Sequence, residues 1–367
     1  MIVNQKHYTT IWLNENERSV SIIDQRKLPF EFSIESFTCC NQIRLAIKEM
    51  WVRGAPLIGV AAAYGVYLAS IHAPENDLIP SIRNAAQKLL HARPTAINLK
   101  FAIHGSMEKI CRENSKERVI QAALDYAENL RNQEIENCRM IGIHGLDLIK
   151  TQYKKTGKPV QILTHCNAGW LACVDYGTAT APIYMAHDEG IPVHVWVDET
   201  RPRNQGARLT AWELSQHGIP NTLIADNTGG HLMQHQMVDM VIVGTDRTTI
   251  TGDVANKIGT YLKALAAKDN NIPFYVAAPS TSIDWSLTDG VKQIPIEKRD
   301  EKEVLLMEGI NGNTVETIQI SHSECKAVNY GFDVTPARLV TSLITERGIC
   351  KANEEGISCL FPEKKSC

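Results

Sequence analysis

The sequence predicts an α/β protein in which a mostly helical first segment precedes a parallel sheet covered by helices on both faces. Two observations carry this reading. Through about Ile149, apolar residues recur three and four apart, the period of helices with one buried face. Beyond the polar stretch "KTQYKKTGKP", short apolar runs appear instead, with longer segments of helical character between or before them. Strands alternating with helices in this way build right-handed crossovers within one parallel sheet.

Taken in order, "RSVSIID" reads as extended. "SFTCCNQIRLAIKEMWVRGAP", "LIPSIRNAAQKLLHA", "TAINLKFAIHGSMEKICRE" and "VIQAALDYAENLRNQEIENCRMIGIHGLDLI" read as helical. The most apolar window, "APLIGVAAAYGVYLASI", is shorter than the roughly 20 residues of a membrane span. Its richness in Ala and Gly predicts a tightly packed interior helix. "KTQYKKTGKP" reads as a boundary loop dividing a helical domain (1–150) from a catalytic domain (151–367). "VQILT", "PVHVWV", "TLIA", "DMVIVGT" and "PFYVAA" read as strands, and no GxGxxG follows any of them, so a standard dinucleotide fingerprint is absent. The tail "PEKKSC" reads as frayed.

Of 367 residues, 44% are hydrophobic and 22% charged, the balance of an ordinary globular chain. A formal net charge of -3 gives no general attraction to nucleic acid or anionic lipid. A phosphate-bearing ligand would therefore be held by a few placed cations. Ten cysteines scatter from Cys39 to Cys367 with no CxxC pair, which argues against a disulfide framework. "MIVNQKHYTTIW" has no basic segment followed by an apolar stretch, the mark of a signal peptide. The expectation is a reduced, cytoplasmic, soluble protein with neither a nucleic-acid nor a membrane partner.

Ligands of open parallel sheets bind beyond the carboxyl ends of the strands, so the residues there are the candidates. "VQILT" leads to His165, Cys166, Asn167 and Gly169. "PVHVWV" leads to Asp198, Glu199, Arg201, Arg203 and Gln205, "TLIA" to "DNTGG", and "DMVIVGT" to Asp246. A free cysteine is most often a small buried hydrophobe. At Cys166, however, a strand-to-helix turn would offer backbone N–H groups that stabilise a thiolate. Cys173, placed inside the following helix, reads as packing. Asp246 follows "VIVGT" directly, where apolar neighbours would keep a carboxyl protonated, although a helix cap is the plainer alternative. Asp198 is open to a structural pairing with Arg201 or Arg203 as much as to a catalytic role. His231 and His235 have helical spacing but lack the third ligand and the HExxH pattern of a zinc site, and no metal is expected. His165 adjoins Cys166 and so points to the opposite face of its strand, a poor position for a base. For phosphate, "ANKIGTYLKALAAK" is read as a helix with Asn256 and Lys257 at its head, where free N–H groups favour an anion. "RGAP", Arg53 to Pro56, and Arg93 in "RPTAINL" add forked guanidinium groups at turns.

In this order, "RGAPLIGVAAAYG", "RPTAINL", "THCNAG", "DETRPRNQGARLTAWEL", "DNTGGHLM", "VGTDRTTITGDVANKIGTYLKALAAK" and "FDVTPARLVTSLITERG" closely resemble the methylthioribose-1-phosphate isomerase family, from about Arg53 to Gly348. That family is related to regulatory subunits of a translation initiation factor, which share its fold without its activity. The resemblance implies a small helical N-terminal domain, a Rossmann-like C-terminal domain, a homodimer and no cofactor. It implies isomerisation of 5-methylthioribose 1-phosphate to 5-methylthioribulose 1-phosphate in methionine salvage. It assigns Cys166 and Asp246 to catalysis, and Arg53, Gly54, Ala55, Arg93, Gln205, Asn256 and Lys257 to substrate contacts. Gln205 rests on the resemblance alone.

The chemistry accounts for the expected pair. A phosphate on C1 locks the sugar as a glycosyl phosphate, so the ring oxygen has to gain a proton first, which asks for a neutral acid at pH 7. Hydrogen then moves from C2 to C1, either as a proton relayed by a Cys166 thiolate or as a hydride that Cys166 only stabilises. Trp170, Cys173 and Asn204 depart from the family pattern. Trp170, read as one turn beyond Cys166, would narrow the region receiving the 5-substituent, which makes 5-deoxyribose 1-phosphate the main competing substrate and ribose 1,5-bisphosphate a remoter one. A non-catalytic regulatory subunit and a cysteine hydrolase are the competing classes. The first would not need Cys166, Asp246 and the phosphate-binding cations together, and the second lacks a positioned base.

Overall fold

A computed structural model describes residues 1–93 and 97–364. Part of "RPTAINL" (94–96) and the last three residues of the tail lie outside the described residues; Pro362–Lys364 forms a short 3₁₀ turn.

Near the N-terminus Ile11–Asn14, Ser19–Ile23 and Ile34–Phe37 form a three-stranded antiparallel sheet. Helices Cys40–Lys48, Leu78–Leu90 and Ile97–Ile110 lie within the segments whose period predicts them, and Ala55–His72 forms the interior helix expected of the most apolar window. Ala55–His72 is apolar on every side because it is surrounded on every side. The segment is 89% buried, packed against Ile43, Leu89, Leu99 and Val119 of the neighbouring helices.

The expected boundary loop is helix. Lys116–Thr156 runs unbroken for 41 residues and ends at Gly157, whose φ of +63° is left-handed. The last turns are polar because they face solvent, and Lys154 and Lys155 complement the negative end of the helix dipole. Val119, Ala123 and Ala127 of this helix belong to the N-terminal core, whereas Ile141, Leu146 and Ile149 belong to the core on one face of the large sheet. One rigid element thus crosses both cores.

The large sheet has seven strands in the order Gly348–Cys350, Ser342–Thr345, Phe274–Ala277, Met240–Val243, Val160–Thr164, Val193–Asp198, Asn221–Ile224. All pairings are parallel except that of the edge strand Gly348–Cys350. The five expected strands are all present; the last two in the sequence were not anticipated. Helix Ala181–Asp188 and the end of Lys116–Thr156 cover one face, and Thr228–Gln234 and Thr260–Asp269 the other. From Val160–Thr164 the chain adds two strands on one side, then returns to place Met240–Val243 on the other. The crevice between these two strands is where such a sheet binds ligands, and Cys166 and Asp246 lie just past their carboxyl ends.

Candidate active site

Cys166 is 6% exposed and adopts a left-handed φ of 67°. No helix begins at this turn. The chain continues irregularly into a 3₁₀ turn, Trp170–Ala172, and the α-helix starts only at Ala181. Cys173 therefore ends a 3₁₀ turn and is not helical; it packs with Cys138 and Ala172. Burial pushes the Cys166 thiol up, while Arg53, Lys257 and the Asn167 N–H pull it down. The thiolate is thus supported by two cations and one amide, not by a helix dipole.

Arg53 is buried and forked onto one residue, with Nη1 donating to Asn167 Oδ1 at 2.5 Å and Nη2 to the Asn167 carbonyl at 2.6 Å. Asn167 Nδ2 in turn donates to Glu213 Oε1 (3.0 Å), and Glu213 Oε2 accepts the Leu171 N–H (3.1 Å). Gly169 makes room for that carboxylate, since a Cβ there would stand 1.4 Å from Glu213 Oε1. Burial raises Glu213 to about 7, against the pull of these N–H donors and Arg53. Sequence reasoning did not single out Glu213; the adjacent "NAG", too small to fill its own space, is the signal that something packs there.

Gly54 heads helix Ala55–His72 with φ +91°, and Pro56 sits in its first turn. The close approach that glycine permits is to the chain itself, since a Cβ on Gly54 would meet the Ala172 carbonyl at 2.3 Å. Ala55 lines a small cavity together with Ile58, Arg93, Asp246, Ala255 and Phe332. Asp246, half-buried, is not a helix cap. It stands between Met240–Val243 and a hairpin, and its N–H donates to the Ala255 carbonyl at 3.0 Å. Burial raises its carboxyl, opposed by Lys257, Arg93 and Arg53. Arg93 pairs with Glu297 at 3.2 Å, and its buried Nε has no partner among the described residues.

Asn256 and Lys257 do not head a helix. They end the strand Val254–Lys257 of a second, four-stranded sheet, between Arg247–Thr249 and Phe332–Thr335. The helix begins at Thr260, and Asp333 already caps it, accepting from the N–H groups of Gly259 (2.7 Å) and Tyr261 (3.1 Å). An anion held by Lys257 would therefore rest on its ammonium, not on that helix head. Lys257 is buried, lies over the Phe332 ring, and is pushed down by burial, while Cys166 and Asp246 pull it up. Asn256 donates to Thr260 Oγ1 at 3.0 Å. Gln205 opens the widened helical turn Gly206–Thr210 and, with Arg53, Met50 and Arg203, lines a second cavity; its buried Oε1 lacks a partner among the described residues.

The structure thus groups Cys166, Asp246, Arg53, Arg93 and Lys257 by mutual charge, with Ala55 and Gln205 lining cavities beside them. Trp170 is fully buried, stacks on Trp212 at 6.4 Å, and lines neither cavity. His165 faces away from the thiol, with Nδ1 on Asp198 Oδ2 (2.9 Å) and Nε2 on the Ile258 carbonyl (2.8 Å). Asp198 pairs with His165 and Lys263, not with Arg201 or Arg203. His165, Asp198 and Asp226 are the one group of described residues with metal-ligand spacing. Most of their atoms are already engaged, Asp198 Oδ2 by His165 and Lys263 and Asp226 by the N–H groups of Thr200 and Arg201, while Asp198 Oδ1 has no partner among the described residues.

Residues 51–352 match the model of the Initiation factor 2 subunit family. The methylthioribose-1-phosphate isomerase of Desulfatibacillum aliphaticivorans is 58% identical, with 99% of this chain and 100% of that protein covered. Among solved structures, 5-methylthioribose 1-phosphate isomerase from Pyrococcus horikoshii superposes with a TM-score of 0.85 at 36% identity, covering 98% of this chain and 97% of that one. The translation initiation factor eIF-2B subunit delta from A. fulgidus gives 0.80 at 37%, covering 97% and 100%. Those two solved structures are nearly equally distant in sequence and carry different names, whereas eight relatives at 54–58% identity, covering 97–100% of this chain, carry the isomerase name. The chain belongs to the Initiation factor 2 subunit family and, inside it, to the methylthioribose-1-phosphate isomerases.

Proposed function

We propose that this enzyme converts 5-methylthioribose 1-phosphate to 5-methylthioribulose 1-phosphate through Cys166 and Asp246. The observation that supports this reading most is the placement of a buried thiol and a carboxyl raised by burial at the switch point of the sheet, with Arg53 and Lys257 near both. Asp246, kept neutral, gives its proton to the ring oxygen as the C1–O bond opens. The Cys166 thiolate then takes the proton from C2, leaving an enediol-like intermediate, and returns it to C1, while the C2 hydroxyl gives its proton to the Asp246 carboxylate, which forms the ketone and restores the acid. Arg93 and Lys257 hold the phosphate, with Arg53, Gly54, Ala55, Gln205 and Asn256 around the sugar. The apolar surround of Ile58, Ala255 and Phe332 keeps bulk water from the carboxyl. A homodimer, which rests on the family resemblance, and the division into 1–150 and 151–367, which rests on the change of period after Ile149, complete the proposal.

The test is to incubate pure protein with 5-methylthioribose 1-phosphate and, separately, with 5-deoxyribose 1-phosphate, and to follow ketose phosphate. Turnover of the methylthio sugar is expected. No turnover of either compound would remove the reading, and exclusive turnover of the deoxy sugar would reassign the substrate.

A further inference from the structure

Two consecutive strand ends carry a non-glycine residue in the left-handed region: Cys166 at φ 67° and Thr200 at φ 66°. For a β-branched residue this is an outlier that persists only where the surroundings enforce it. Here they do. The N–H groups of Thr200 and Arg201 donate to the two oxygens of Asp226, at 2.7 and 2.8 Å. The Thr200 hydroxyl donates to the Asp198 carbonyl at 3.0 Å and accepts the N–H of Cys166 at 2.8 Å. From the other side, Thr210 Oγ1 donates to the Cys166 carbonyl at 2.6 Å. Behind this pair, Asp198 is fixed by His165 (2.9 Å) and Lys263 (3.2 Å), and Lys263 also donates to the Asp226 carbonyl.

We infer that Thr200 is a positioning residue for the reaction. Its hydroxyl holds Cys166 in the left-handed conformation that sets the thiol among Arg53, Lys257 and Asp246, and Asp226 holds Thr200. The inference rests on the proposed role of Cys166 as the group that moves the proton. Its physical content is that one buried hydrogen bond converts backbone strain into a fixed thiol direction, and small misplacements of a reacting group cost large factors in rate. Thr200 is fully buried and lines neither cavity, so its loss is expected to act on turnover and not on binding.

Thr200→Val keeps the shape and removes the hydroxyl, whereas Thr200→Ser keeps the hydroxyl and removes only a methyl group. We expect Thr200→Val to lower kcat at least about tenfold with KM within about twofold, and Thr200→Ser to restore kcat to within about threefold of the parent. Amide hydrogen exchange at Cys166 reads the hold without reference to turnover, and it is expected to be faster in Thr200→Val and near normal in Thr200→Ser. If the parent protein turned over no sugar phosphate, the functional reading would fail while this exchange measurement still decided the positioning. Equal kcat losses in the two variants, or unchanged exchange in Thr200→Val, would overturn the inference. Should Thr200→Val not fold, Asp226→Asn removes the carboxylate that holds Thr200, and the same fall in kcat without a rise in KM is expected. An Asp226→Asn enzyme with parental kcat would overturn it equally.

Discussion

Arg93 and Glu297, 204 positions apart in the chain, form an ion pair of 3.2 Å beside the cavity that holds Asp246. Glu297 is itself paired with Arg299 at 2.8 Å, and Arg299 with Glu303, which also holds Arg203. Alternating charges thus tie the two candidate substrate loops together. Burial raises Glu303, but Arg299 and Arg203 win and hold it down at about 2.

A phosphate that takes the Arg93 guanidinium competes with Glu297 for Nη2, while Nε is open to it. Arg93→Ala, like Lys257→Ala, should lose about 2 to 5 kcal/mol of transition-state stabilisation in kcat/KM. Glu297→Gln should act oppositely on binding and lower KM roughly fivefold, the equivalent of about 1 kcal/mol. Steady-state kinetics on the three variants measures both effects. Parental kcat/KM in Arg93→Ala and Lys257→Ala would move the phosphate elsewhere.

Burial raises both Asp246 from 3.8 and Cys166 from 9.0. The reactive form, neutral acid with thiolate, is one proton arrangement of the singly ionised pair, so kcat/KM should be bell-shaped in pH. Both limbs should be displaced upward, the acid limb above the ordinary carboxyl range and the alkaline limb above 9. An acid limb at the value of an ordinary exposed carboxylate would contradict a desolvated Asp246.

Stability should carry a separate signature. Glu134, in helix Lys116–Thr156, is fully buried, and burial raises it from 4.5 to about 7. A raised carboxyl binds its proton more tightly in the folded state, so its contribution is present below pH 4.5 and is lost as pH rises through about 7. The loss is on the order of 3 kcal/mol. Glu134→Gln should flatten the fall in Tm between pH 4.5 and 7.5 or so, and an unchanged profile would assign the group an ordinary titration.

Trp170 is core. Stacked on Trp212 and packed among Leu171, Ile183 and Leu209, it fills the sheet's interior face. Trp170→Ala should cost about 3 to 5 kcal/mol of stability. The preference ratio between methylthio and methyl sugars should stay the same, as competition assays would show. A changed ratio with parental stability would return Trp170 to the site.

Much of this architecture is legible in the sequence because its signals are local. Met240–Val243 is apolar throughout, as a strand buried on both faces is, "VQILT" is mostly so, and Ala55–His72 is apolar all round because its neighbours enclose it. The misreadings have non-local causes. "VANK" is held on one side by Phe332–Thr335, some seventy-five residues later, and only on the other by the nearby Arg247–Thr249, so its sheet is not legible from the residues around Lys257 alone. "KTQYKKT" is polar because the end of a long helix is wet, and polarity alone does not distinguish that from a loop. Helical spacing misplaces Trp170 because the chain after Cys166 is irregular, held by Thr200, Thr210 and Glu213 from other segments. Cys166 and Asp246 are legible from the ends of their strands, where chain order and spatial order coincide; Glu297, 204 positions from Arg93, is not, and Thr200 stands at a strand end but its role shows only in its hydrogen bonds.

The account depends most on the thiol of Cys166, and Cys166→Ser tests it directly. Serine keeps the size and a hydrogen-bonding group at this position but does not readily form the anion. With 5-methylthioribose 1-phosphate as substrate, kcat should fall by about 10³-fold while substrate binding stays within a few-fold of the parent. A Cys166→Ser enzyme with near-parental kcat would contradict the account and leave the residue as packing.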